Sequence, residues 1–200
     1  MDLPKLNPTP TRHPDLCLSI STTLLQTLSE ILTTTDGGPD TTGNNLILSV
    51  GSGSGLLEAH LQDHIAPPPS RSSPPGPTCP CPFTVKGIEV RAPTPVNRYL
   101  PAPQAPTVRG TWEVHPSAGA ADTLMFVYPR DPGLVGRYLG AAGQGGVRVV
   151  LWLGPRADWS VFGGCFGGVE GFGEVEVVEG ARAGVAEFEM VAVLRRRGRG

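Results

Sequence analysis

The chain has 200 residues, and its 16 basic and 18 acidic side chains leave a formal net charge of −2, which excludes a bulk cationic nucleic-acid binder. It is 39% hydrophobic and 17% charged, and no apolar stretch approaches the ~18 residues of a membrane-spanning helix. Met1–Pro14 carries four prolines and no apolar run of secretory type, so cytoplasmic residence is expected, with the nucleus as the other option.

One domain is expected over 1–200, with a flexible N-terminus at 1–15, a proline-rich disordered insertion at 67–82 and a basic tail at 195–200. Twenty-one of the 22 prolines precede Gly133, while 17 of the 27 glycines lie from Gly133 onward. Stiff connections therefore punctuate the front half and tight turns the back half. In Pro67–Pro82 eight of 16 residues are proline, a composition that cannot build a packed element. Of the four cysteines, Cys79 and Cys81 fall inside this stretch, whereas Cys17 and Cys165 are isolated. That spacing suits neither a disulfide framework nor a thiol metal site, and no metal is expected.

Apolar residues at 20, 24, 28, 31 and 32 predict one helix over Leu16–Leu32. Leu46–Val50 is a short apolar run bounded by turn signals, as in a buried parallel strand. Gly51-Ser52-Gly53-Ser54-Gly55 follows it, and then a helix over Leu56–Ile65 with Leu57, Leu61 and Ile65 on one face. His60 and His64 stand four apart on this helix and are expected on its solvated side.

Phe83–Val90 predicts the second strand, Thr94–Leu100 a short helix, Thr107–Val114 the third strand and Asp122–Tyr128 the fourth. Leu134, Val135, Tyr138 and Leu139 mark a further helical face, Val147–Leu153 a fifth strand and Val161–Phe166 a glycine-weakened helix. Gly173–Glu179 and Val185–Leu194, around Gly180–Gly184, predict an antiparallel hairpin. Strands alternating with helices mean an α/β fold: a mostly parallel sheet flanked by helices, closed by a C-terminal hairpin.

The glycine turn occupies the carboxyl end of the first sheet strand, where open parallel sheets bind ligands. A dinucleotide fingerprint would need a glycine at 56, which is Leu56, and no lysine follows for a phosphate loop. The G-x-G-x-G spacing after an apolar strand, the acid closing the second strand and the terminal hairpin together resemble the class I, Rossmann-like, S-adenosylmethionine-dependent methyltransferases. The resemblance covers Leu46 to Leu194. It implies an S-adenosylmethionine cofactor held by Ser49, Gly51, Ser52, Gly53, Gly55 and Glu89, with Glu89 on the ribose. Gly55 and Glu89 lie 34 positions apart, 18 when the 16-residue insertion is discounted, close to the ~20 that serve a ribose in such folds. The family usually places an acid where this chain has Ser49, which leaves the cofactor's positive end without its expected countercharge.

By the same resemblance Tyr128, Pro129 and Arg130, after the fourth strand, face the substrate, and Arg130 could neutralise a carboxylate or phosphate. No catalytic base is identifiable. The expected activity is methyl transfer to an unknown acceptor. A non-catalytic interaction protein on the same fold and an NAD(P)-binding oxidoreductase are the alternatives. Nucleic-acid contact is expected, if at all, only through Arg195, Arg196, Arg197 and Arg199. Trp152 and Trp159 are expected in the core.

Overall fold

The computed structural model describes residues 2–34, 45–66, 83–94, 96–143 and 145–197. The proline-rich insertion, with Cys79 and Cys81, and Arg199 lie outside them. Two strands, β1 (Thr11–His13) and β2 (Leu16–Ile20), pair antiparallel and lead into helix α1 (Thr22–Thr33). The expected helix over Leu16–Leu32 is thus a strand followed by a helix. Ser21 divides them: its hydroxyl oxygen accepts the Leu24 N–H at 2.9 Å and caps α1, while the residues before it stay extended. β1 lies within the N-terminus expected to be flexible, and the Asn7 carbonyl accepts the Thr22 N–H at 2.9 Å.

β3 (Leu46–Val50) is buried at every position, and α2 (Leu56–Ile65) follows the glycine turn, both as predicted. β4 spans Thr84–Val90. Among the described residues of Thr94–Leu100 no helix is formed, and a single 3-10 turn stands at Ala102–Gln104, started by Pro101 and Pro103. β5 is only Thr107–Val108 instead of reaching Val114, because the chain leaves β4 at its last residue and turns at Gly110–Trp112. β6 (Thr123–Val127), α3 (Pro132–Gly143), β7 (Val149–Pro155) and α4 (Trp159–Phe166) follow. β8 (Phe172–Glu179) and β9 (Glu189–Arg196) form the terminal hairpin, joined through a helical turn, α5 (Gly180–Ala183), that delays the return strand from Val185 to Glu189.

The seven-stranded sheet has the order β5-β4-β3-β6-β7-β9-β8. Its first five strands are mutually parallel, and β9 runs antiparallel to both β7 and β8. Side chains alternate across the sheet. Ile47, Leu151 and Val193 face α1 and α2 with Leu28, Leu57 and Leu61, whereas Leu48, Trp152 and Leu194 face α3 and α4 with Tyr138 and Phe162. Burial on both faces explains why the central strands read as continuous apolar runs. No helix among the described residues is long and apolar enough to cross a membrane.

Of the expected basic tail, Arg195 and Arg196 lie in β9. Arg196 stacks over Phe172 at 4.6 Å and donates to the carbonyls of Val147 and Ala142 at 2.6 Å each, and Arg195 donates to Ile31 O at 3.0 Å. These two guanidinium groups tie β9 to α3 and α1, so they are committed within the fold instead of being free for a polyanion.

Candidate functional site

Chain direction across the sheet reverses between β3 and β6: β4 and β5 lie on one side of β3, and β6 and β7 on the other. Such a switch point opens a crevice at the carboxyl ends of the two strands. A cavity of ≈ 400 Å³ occupies that place here. The glycine turn after β3 and residues 128–130 after β6 both line it, as does Glu89 from β4.

The turn is built from left-handed glycines, with φ of 77° at Gly51, 57° at Gly53 and 80° at Gly55. Gly51 and Ser52 donate their N–H groups to Ile88 O at 2.9 and 3.3 Å, which fixes the turn against β4. A Cβ at Gly53 would meet no protein atom within 4 Å, since this position borders the open cavity. At Gly55 a Cβ would meet the Asn97 side-chain amide, which would have to shift, and φ of 80° strains any residue but glycine. Asn97 reaches back to Ser52 Oγ at 3.4 Å and accepts the Leu100 N–H at 3.1 Å, joining the turn to the segment after β4.

Glu89 accepts the Gly53 N–H through Oε1. The carboxylate at the end of β4 therefore meets the turn directly, half-buried and on the cavity wall. Seven of the nine residues proposed from sequence line one cavity: Gly51, Ser52, Gly53, Glu89, Tyr128, Pro129 and Arg130. Gly55 and Ser49 do not. Gly55 opens α2 behind the turn, and Ser49 is fully buried with its hydroxyl donating to Glu58 Oε1 at 2.6 Å.

Tyr128 has φ of 49°, the one left-handed non-glycine residue among those described. Its hydroxyl donates to Glu189 at 2.5 Å, and burial followed by that hydrogen bond pushes its pKa well above the usual tyrosine value. The hydroxyl is thus held protonated as a donor to Glu189. Arg130 is exposed at the mouth. A second cavity of ≈ 390 Å³, between 128–130 and α4, shares Cys17, Tyr128, Pro129 and Arg130 with the first.

Several cavity-lining positions carry no signal in the sequence. Asp15, Leu16 and Cys17 of the N-terminal hairpin form part of the cavity wall, and Ser54 holds that hairpin down by donating to Asp15 O at 2.7 Å. The Tyr99 hydroxyl at 2.8 Å and the Arg98 guanidinium hold the Asp15 carboxyl below the usual carboxylate range. Val90, Val96 and Val108 line the cavity beyond Glu89. His60 is a correction: it is buried instead of solvated, and burial lowers its pKa, while His64 is exposed as expected. Among the described residues no group of three His, Cys, Asp or Glu side chains is arranged to hold a metal ion.

The sheet order, the antiparallel terminal strand and the glycine turn define the fold of the class I S-adenosylmethionine-dependent methyltransferases. Among solved structures the chain resembles the small RNA methyltransferase HEN1, with a TM-score of 0.55 and 10% identity over 96% of this chain and 26% of that one. It thus spans about a quarter of that protein's length. It also resembles the O-methyltransferase TomG from Streptomyces achromogenes, solved with its cofactor SAM, at a TM-score of 0.55 and 14% identity over 92% of this chain and 83% of that one. The magnesium protoporphyrin IX methyltransferase ChlM from Synechocystis, also with bound SAM, gives 0.50 and 11% over 86% and 78%. No protein-family model and no curated protein matches the sequence.

Proposed function

We propose that this chain binds S-adenosylmethionine in the cavity between β3 and β6 and is a methyltransferase whose acceptor enters through the adjoining cavity beside α4. The observation that carries the reading is the convergence of the turn at Gly53 and the Glu89 carboxylate on one cavity at the switch point of the sheet. The residues present fit the cofactor. The glycine turn leaves room for close backbone approach, Glu89 offers acceptor oxygens to the ribose hydroxyls, and Val90, Val96 and Val108 give an apolar wall for the adenine. When bound, S-adenosylmethionine supplies an electrophilic methyl carbon on a sulfonium.

The chain's own contribution is alignment. Cys17, Tyr128, Pro129 and Arg130 form the wall common to both cavities, so an acceptor in the second reaches the first past them. Arg130 suits an acceptor carrying a carboxylate or phosphate. Methyl transfer needs proximity and alignment more than a strong base, which agrees with a shared wall whose tyrosine is committed to Glu189. The oxidoreductase alternative lacks support, because Leu56 occupies the place of the third fingerprint glycine and is buried under the turn.

Calorimetric titration with S-adenosylmethionine and its demethylated product tests the reading. The wild type is expected to bind both. Glu89→Ala should weaken binding roughly ten- to a hundredfold, since hydrogen bonds to a charged acceptor contribute ~1.5–3 kcal/mol. Glu89→Gln should lose less, because its amide oxygen still accepts the Gly53 N–H and a hydroxyl. Unchanged affinity in Glu89→Ala would move the cofactor away from β4.

A further inference from the structure

β3 carries Ser49 where an acid would place negative charge behind the glycine turn, yet a carboxyl reaches the same spot from the other side of the turn. Glu58, in the first turn of α2, is 1% exposed, and Ser49 donates to its Oε1 at 2.6 Å. Neither residue lines the cavity, but Glu89, which accepts the Gly53 N–H on the cavity wall, is close enough to act on the Glu58 carboxyl. Glu58 Oε2 is buried and has no hydrogen-bond partner among the described residues. A buried carboxyl with unspent acceptor capacity is costly to ionise.

The groups that act on it are few. Ser49 faces it from β3, its own backbone N–H donates from α2, and Glu89 faces it from β4 with a negative charge that opposes ionisation. Among the described residues no cationic side chain bears on it. Burial, more than Glu89, pushes its pKa up to about 7, and the Ser49 hydroxyl offsets part of the rise. The site therefore contains an acid without a countercharge, behind a cavity read above as holding a cation.

We propose that Glu58, positioned by Ser49, takes the place of the acid missing from β3, and that binding of the sulfonium cofactor is coupled to loss of the Glu58 proton to solvent. The proposal rests on the cofactor reading above. A cation nearby favours the charged form of the carboxyl. Affinity must then rise with pH through the range in which free Glu58 loses its proton, and binding must release protons there.

The test is calorimetric titration of the full chain with S-adenosylmethionine between about pH 5.5 and 7, where the ligand's α-amino group stays protonated, in buffers of different ionisation enthalpy. No histidine lines the cavity among the described residues. If binding lowers the Glu58 pKa by about one unit, affinity should rise several-fold across this range, with release of about half a proton near pH 6.5. The demethylated product, which lacks the sulfonium charge, should show a shallower rise. Glu58→Gln should bind with flat pH dependence at the level of the wild type's acid limb and release no proton. Ser49→Ala should shift the Glu58 carboxyl titration, followed by NMR in the ligand-free protein, to higher pH. Wild-type affinity that is flat with no proton release, or proton release that persists in Glu58→Gln, overturns the role of Glu58 and leaves the cofactor reading standing. Binding of neither ligand at any pH overturns both.

Discussion

Glu189→Ala is expected to lower stability by about 3–5 kcal/mol, seen as a fall in melting temperature on the order of 10 °C for a domain of this size. Glu189 is fully buried at the start of β9, and its carboxylate accepts from four groups on three parts of the chain. The Ser19 N–H donates at 3.2 Å and the Ser19 hydroxyl more closely, the Ala186 N–H donates at 3.1 Å, and the Tyr128 hydroxyl at 2.5 Å. Truncation leaves the Ser19 N–H, the Ser19 hydroxyl and the Tyr128 hydroxyl without this acceptor, while the Ala186 N–H keeps Ser19 Oγ at 2.7 Å; each buried donor left unpaired costs ~1–3 kcal/mol. Because β2 and Tyr128 both border the cavity, cofactor affinity should fall with stability. Glu189→Gln keeps one acceptor oxygen and should lose less. An alanine variant within about 1 kcal/mol of wild type would show that the donors find other partners and that Glu189 does not join β2 to β6 and β9.

This cluster also shows where sequence reading stops. Leu16–Ile20 satisfies helical spacing with the residues that follow, and what extends it is pairing with Thr11–His13 and a carboxylate 170 positions away. Neither partner is visible in a local window. β3, the glycine turn and Glu89 are legible because their signals are local: an apolar run, three glycines at fixed spacing and an acid closing a strand. The third strand is shorter than its pattern because Thr107–Val114 alternates well enough, while only Thr107 and Val108 find partners on β4. His60 misleads for a similar reason. Its position on α2 looks polar, but α2 packs against α1, β2 and β4 and the imidazole is buried, and no pattern in 56–65 announces those neighbours. Glu58 registers in the sequence only as the absence of a phosphate-loop lysine, although an acid in the first turn after a glycine loop that lacks its usual acid is a pattern a sequence can show.

The same carboxyl gives the second large effect on stability, of opposite sign. Ligand-free Glu58→Gln should be more stable than wild type at pH 8, by about 3 kcal/mol. The folded-state pKa of Glu58 is raised from its ordinary 4.5 to about 7, so between those values the native protein keeps a proton that the unfolded chain has released. Wild-type stability is then fully present below the unfolded pKa, declines as pH rises through this window and has lost the whole increment above about 7, at ~1.4 kcal/mol for each pH unit between the two values. Glutamine stays neutral throughout. Its oxygen still accepts the Ser49 hydroxyl, and its size matches the protonated acid, so the variant should track wild type to within about half a kcal/mol near pH 4.5 and separate from it on the alkaline side. Urea unfolding at the two pH values measures the difference directly. A variant less stable than wild type at pH 8 would mean that ionised Glu58 is compensated inside the ligand-free fold. The expected result, greater stability together with weaker and pH-insensitive cofactor binding, is that of a buried charge whose cost is carried by the free protein and relieved only when a cation occupies the cavity.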